Sequence, residues 1–135
     1  MLERVAIGRE EDITTAVVVA QAHARALGMS SDAVQRLGTA VSELARNICK
    51  YCRHTGGDMV IQQHTHEGGS PQLVVQVRDN GPGIADLEQA LQDHYSSSGT
   101  LGLGLPGVRR IVDHFAIVSE PGRGTVVTIA MEIHG

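Results

Sequence analysis

Apolar residues along this chain follow two different rhythms. Over residues 11–27, and again over about 32–52, they recur at three- and four-residue steps, the spacing of a helix face. Elsewhere they gather in short Val- and Ile-rich runs bounded by glycine or proline, the spacing of strands. The weak alternation of Leu2–Ile7 predicts an edge strand. The first helical segment ends at Gly28, a residue suited to a left-handed C-terminal cap. Ser30, Ser31 and Asp32 then offer N-cap side chains to a second helix, whose Val34, Leu37, Val41, Leu44, Ala45 and Ile48 form one buried stripe.

Gly56-Gly57 stops that helix. Runs at 58–65 and 72–78 predict a hairpin across a polar, glycine-containing loop. A glycine and proline turn at 79–83, a short helical piece at about 86–93 and a mobile Ser- and Gly-rich loop at 95–104 follow. Residues 105–114 read as a helix with Pro106 in its first turn, where a missing N–H costs nothing. His114 would sit at its C-terminal end, favoured by the dipole. Strands at about 115–120 and 124–133 flank the turn Pro121-Gly122-Arg123-Gly124. The order predicts an α+β fold, a two-layer sandwich with a mixed, mostly antiparallel sheet covered on one face by helices. Residues 1–135 fit a single domain.

Composition narrows the function classes. With 41% apolar and 19% charged residues the chain is globular, and no apolar run approaches the length of a bilayer span. The N-terminus lacks the pattern of a secretory signal, so the expected location is cytoplasmic, away from membranes. A net charge of −4, scattered basic residues, one Phe, two Tyr and no Trp argue against a nucleic-acid partner. Cys49 and Cys52 form a C-x-x-C at a helix end, where the dipole disfavours a thiolate. Their spacing reads as two residues sharing a helix face rather than a redox or zinc motif.

Three patches carry chemistry. Glu43 and Asn47 are one helical turn apart, about 40° around the axis. A carboxylate and an amide oxygen on one face suit Mg²⁺, although a solvated polar face would also carry them. Asp79-Asn80-Gly81-Pro82-Gly83 follows a strand directly. Its glycines let a flat ligand approach the backbone, and the carboxylate could accept a bond from the exocyclic amine of adenine. The same residues also build ordinary turns. The third patch is Gly99-Thr100-Leu101-Gly102-Leu103-Gly104-Leu105-Pro106-Gly107, opening a helix that carries Arg109 and Arg110. Free N–H groups at such a helix start make an anion site. The run is neither a Walker A nor a Rossmann loop.

Taken in order, the E-x-x-x-N helix, the D-x-G-x-G strand end and the G-L-G-L-P-G helix start resemble the GHKL ATP-binding superfamily. That fold is shared by gyrase-type ATPases, Hsp90-type chaperones, histidine kinases and MutL-type repair proteins. Gly122-Arg123-Gly124-Thr125 is similar to the superfamily's later glycine–threonine element. Within it, SELARNI at 42–48, DNGPGI at 79–84 and SSSGTLGLGLPGVRRIVD at 96–113 resemble the RsbT-type switch kinases and anti-sigma-factor kinases.

The resemblance implies a Bergerat-type fold, ATP and Mg²⁺ as cofactors, and serine/threonine phosphorylation of a small STAS-domain partner. It makes Glu43 the general base and Asn47 the Mg²⁺ ligand. Asp79 would hold the adenine amine, with Gly81, Gly83 and Ile84 lining the nucleotide. Gly102, Leu103, Gly104 and Leu105 would form the phosphate-side lid, Arg109 or Arg110 would neutralise phosphate charge, and Thr125 would line the base pocket. The same pocket would serve a rival reading, a nucleotide-dependent module that sequesters a sigma factor or activates a PP2C-type phosphatase. A catalytic domain serving a histidine acceptor in trans is less similar to the SELARN motif and the short chain.

Overall fold

The computed structural model describes residues 2–52, 55–65, 68–81 and 104–134. The elements run β1 (Leu2–Ile7), α1 (Glu10–Ala26), α2 (Ser31–Tyr51), β2 (Gly57–Thr65), β3 (Pro71–Asp79), α3 (Gly104–Ile111), β4 (His114–Glu120) and β5 (Gly124–Glu132). The helix expected at 86–93 and all but the last residue of the loop expected at 95–104 lie outside the described residues; Gly104 itself begins α3.

Local chemistry accounts for the helix ends. Asp12 accepts the N–H groups of Gly8 and Arg9, both at 2.9 Å, and so closes the start of α1. Gly28 takes a φ of 75° just beyond its end. The Ser30 hydroxyl accepts the Ala33 N–H at 3.1 Å, the N-cap of α2. At the far end of α2, the Gly56 N–H reaches back to the Cys52 carbonyl at 2.7 Å while Gly56 adopts a φ of 64°. That turn sends the chain straight into β2.

The five strands lie in the order β1-β2-β3-β5-β4, and all four pairings are antiparallel. Among the described residues the sheet is therefore wholly antiparallel rather than mixed. β3 and β4 do point the same way, but β5 lies between them and converts one parallel pairing into two antiparallel ones. The predicted edge position of β1 is what the sheet has, with β4 at the opposite edge.

One face of the sheet meets the helices. Ile7, Met59, Ile61, Leu73, Val75, Ile129 and Met131 from the strands are buried against the α2 stripe of Leu37, Val41, Leu44 and Ile48. Small buried residues at Ala16, Ala20 and Ala24 let α1 lie close beside α2. On the other face, Asp58 is only 6% exposed and pairs with Arg4 at 2.6 Å and Arg78 at 2.8 Å.

The last helix is shorter than its sequence suggests. α3 ends at Ile111, whose carbonyl accepts from Arg36 at 2.8 Å. Asp113 turns away from it to accept the Glu132 N–H at 2.8 Å. His114 is consequently the first residue of β4, bonded to Glu132 at 2.7 Å, and not a helix-end residue. Satisfying a strand N–H outweighs another turn of helix.

Candidate functional site

Three strand ends and the end of α2 meet at one edge of the helix-covered layer. Asp79 is the last residue of β3, and its neighbours across the sheet are Gly57 on one side and Thr125 on the other. Thr125 is 8% exposed and shares a hydrogen bond of 2.8 Å with Ser119. Both flanking strands start with a glycine at this point, and for a steric reason. A Cβ on Gly57 would run into the Arg78 carbonyl oxygen, and one on Gly124 into that of Asp79. The backbone around Asp79 is thus gripped from both sides without side chains.

The Asp79 carboxylate accepts the Gly81 N–H at 2.9 Å, folding residues 79–81 into a tight turn. Gly81 is buried, and a Cβ there would lie 2.5 Å from the Cys52 sulfur and 3.2 Å from Asp79 Oδ1. The Cys52 sulfur thus packs on Gly81, beside the Asp79 carboxylate. Burial, and then the nearby Asp79 charge, push this thiol's pKa up to about 12. Nothing in the local sequence announces this contact. The Gly56 turn makes it by folding the end of α2 back over the end of β3.

Glu43 lies on α2 nine residues before Cys52, about two and a half helical turns away. Only 8% exposed, it accepts the Gly104 N–H through Oε1 at 3.1 Å and a bond from Arg46 through Oε2 at 3.2 Å. Gly104, at a φ of 63°, is where the chain turns into α3. A carboxylate therefore sits at that helix's N-terminus, the place where an anion is favoured by free N–H groups. Asn47 is half-buried one turn further along α2. Leu105 packs its partly buried side chain on the core, and Arg109 and Arg110 lie on the exposed side of α3.

Of the residues singled out from sequence, Glu43 and Gly104 are in contact, as are Asp79 and Gly81, with Thr125 beside Asp79 in the sheet. Gly83, Ile84, Gly102 and Leu103 lie outside the described residues. Among the described residues no three His, Cys, Asp or Glu side chains cluster as a metal site. A carboxylate and an amide on adjacent turns fit an ion that keeps most of its shell from water and phosphate, the habit of Mg²⁺. Sequence reasoning did not anticipate the packing of Cys52 on Gly81 or the steric need for Gly57 and Gly124.

Comparison with known proteins gives this geometry a family. Residues 8–131 match the family described as the histidine kinase-like ATPase domain. The serine/threonine-protein kinase RsbT of Bacillus subtilis is 40% identical over 123 residues, covering 91% of this chain and 90% of that protein. The anti-sigma F factor of Clostridium beijerinckii is 30% identical over 128 residues, covering 91% of this chain and 87% of its own. Among solved structures, the mycobacterial sensor histidine kinase MprB aligns with a TM-score of 0.57 at 19% identity, over 98% of this chain and 97% of that one. The catalytic domain of histidine kinase ThkA aligns with a TM-score of 0.55 at 16% identity, over 97% and 96%. At such identities the structural likeness speaks for the fold alone. The chain belongs to the histidine kinase-like ATPase domain family, and within it to the RsbT-type group of serine/threonine-protein kinases and anti-sigma-factor kinases.

Proposed function

We propose that this protein transfers the γ-phosphoryl group of ATP to a serine or threonine of a small STAS-domain partner, as the kinase element of a cytoplasmic partner-switching pathway. The single observation that carries the reading is the buried Glu43 carboxylate at the start of α3, beside Gly104. A base for an acceptor hydroxyl has to stand at the phosphate end of the pocket, and a helix N-terminus is where phosphate is held.

In this reading Asp79 accepts the adenine amine, Gly81 and Gly83 leave the backbone open beneath the base, and Ile84 and Thr125 line it. Asn47 would ligate Mg²⁺, which supplies charge neutralisation for the phosphates when bound. Gly102, Leu103, Gly104 and Leu105 close over the phosphates, and Arg110 adds positive charge from α3. Glu43 takes the proton of the acceptor hydroxyl as its oxygen bonds to the γ-phosphorus and the bond to the β–γ bridging oxygen breaks. Positioning and electrostatics supply most of the acceleration in such transfers.

The 30% identity with an anti-sigma F factor favours a second reading, a nucleotide-gated module that binds a sigma factor or a PP2C-type phosphatase. Incubating the full chain with γ-labelled MgATP and purified STAS-domain proteins separates the two. Label on a serine or threonine of the partner supports the kinase. A complex that forms only with nucleotide and leaves every partner unlabelled removes the kinase reading and supports the module.

A further inference from the structure

The last helix is fastened to α2 at both of its ends. At its start the Gly104 N–H donates to Glu43 at 3.1 Å. At its finish the Ile111 carbonyl accepts from Nη1 of Arg36 at 2.8 Å. Arg36 and Glu43 are about two turns apart on α2, and Gly104 and Ile111 are about two turns apart on α3. A carboxylate thus meets the positive end of the helix dipole, and a guanidinium meets the negative end. A helix of 8 residues is too short to persist alone, and Gly107 within it lowers its propensity further. Buried Val108 holds its middle on the core, and the two α2 side chains hold its ends.

We propose that Arg36 is a positioning residue for phosphate binding: it pins the C-terminal end of α3, so that the N–H groups at the helix start keep the place the nucleotide phosphates need. The two fastenings differ in what a ligand can do to them. Phosphate oxygens and Glu43 Oε1 seek the same N–H groups, so nucleotide can replace the hold of Glu43. Ile111 lies about 10 Å further along the helix axis, away from that end, and the bond from Arg36 persists. Arg36 is itself held in place. Its Nε donates to Asp32, one turn back on α2, at 2.9 Å, and Asp113 Oδ1 lies 4.0 Å from its Nη1. The planar guanidinium can therefore serve Asp32 and the Ile111 carbonyl at once, which a single ammonium does less well.

The inference rests on the reading that phosphates bind at the start of α3, and the two can fail separately. The full chain and its Arg36→Ala and Arg36→Lys variants are titrated calorimetrically with MgATP, and amide hydrogen exchange is followed through α3 without nucleotide. Arg36→Ala should weaken MgATP about tenfold and speed exchange in α3 about tenfold, the effect of losing one bond from a charged donor. Arg36→Lys, which keeps a charged donor, should return both to within about threefold of wild type. Alkylation of Cys52 at fixed pH reports on the adenine end and should change by less than about twofold, whereas a general loosening of the fold would speed it too. Circular dichroism checks folding, and Arg36→Gln, which retains part of the stem, replaces the alanine variant if that one unfolds. Unchanged exchange in α3 overturns the anchoring by Arg36. Faster exchange with unchanged MgATP affinity overturns the placement of phosphates at α3, and the role of Arg36 with it. Weaker MgATP with faster Cys52 alkylation also overturns the proposal, since that is the signature of a structural residue. A wild-type protein that does not bind MgATP overturns the nucleotide reading and this role together.

Discussion

Glu43 Oε1 accepts the N–H of Gly104 at 3.1 Å, a contact between residues 61 apart in the chain. It joins α2 to the first residue of α3 and makes Glu43 both a helix cap and the proposed base. The two roles respond differently to substitution. Glu43→Gln keeps a carbonyl oxygen for Gly104 but cannot take a proton. Glu43→Ala loses both functions and should cost about 1 kcal/mol of stability, the usual effect of removing a cap. Both variants should lower phosphoryl transfer by about 10²–10⁴-fold, the range for a lost general base, while still binding MgATP. Single-turnover transfer and urea unfolding measured on the same preparations check this. Transfer by Glu43→Gln at the wild-type rate would remove Glu43 from the chemistry.

Asp79 and Cys52 provide a prediction readable without any partner. Burial raises the Cys49 thiol's pKa, helped by the acidic residues at the start of α1, and raises that of Cys52 further, to about 12. At pH 8 only about one Cys52 in 10⁴ is thiolate, and thiolate is the form that alkylates. Iodoacetamide should therefore modify Cys49 well before Cys52. Asp79→Asn removes the negative charge beside the sulfur, and Cys52 labelling should accelerate about fivefold or more at fixed pH. The same variant should weaken MgATP by at least about tenfold, because an amide presents a donor where the adenine amine needs an acceptor. Peptide mass spectrometry over time follows the labelling. A Cys52 rate indifferent to Asp79 would contradict the contact.

Local pattern was enough to place most of this architecture. The stripe from Val34 to Ile48 is helical by spacing, and Ser30 marks its start through its own side chain. Asp79 at a strand end followed by glycine was equally visible. What the sequence left hidden depends on contacts between distant segments. The insertion of β5 between β3 and β4 is decided by which strand edge is free when residues 124–132 fold, and no periodicity encodes that. Cys52 meets Asp79 only because the Gly56 turn returns the chain at one particular angle. Gly124 looked like one more turn glycine. Its need to be glycine comes from the Asp79 carbonyl, 45 residues earlier in the chain.

That carbonyl makes the glycines at the β4–β5 turn unequal. Gly122 and Gly124 both have positive φ, at 78° and 90°. Around Gly122 a Cβ would meet nothing within 4 Å, whereas at Gly124 it would collide with the backbone of Asp79. Gly122→Ala should lose about 1 kcal/mol, the conformational term alone. Gly124→Ala adds overpacking against a backbone that has no room to yield and should lose about 2–4 kcal/mol. It should also weaken MgATP binding, since relieving the collision moves Asp79. Chemical denaturation of the two variants side by side is the measurement. Equal losses would show that β5 does not press on β3 as described.

On the far side of the sheet, Asp58 makes the fold acid-sensitive in a defined direction. Hydrogen bonds from Arg78, and then from Arg4, lower its pKa below the usual 3.8, against the opposing effect of burial. The folded state therefore binds this proton less readily than the unfolded chain does. The stabilisation is fully present above about pH 5, and it is lost as pH falls through 3.8 toward the lower folded value. Both arginines are substantially exposed, at 67% and 44%, so solvent screens the pairs and their contribution is modest. Asp58→Asn should cost about 1–2 kcal/mol at pH 7. As pH falls below 3.8 toward the lower folded value the wild-type carboxyl itself takes up a proton, so the gap between the two proteins should narrow. Urea unfolding of both proteins at pH 7 and pH 3 measures the gap directly. A difference that stays constant between those conditions would mean that Asp58 acts through packing rather than through its charge.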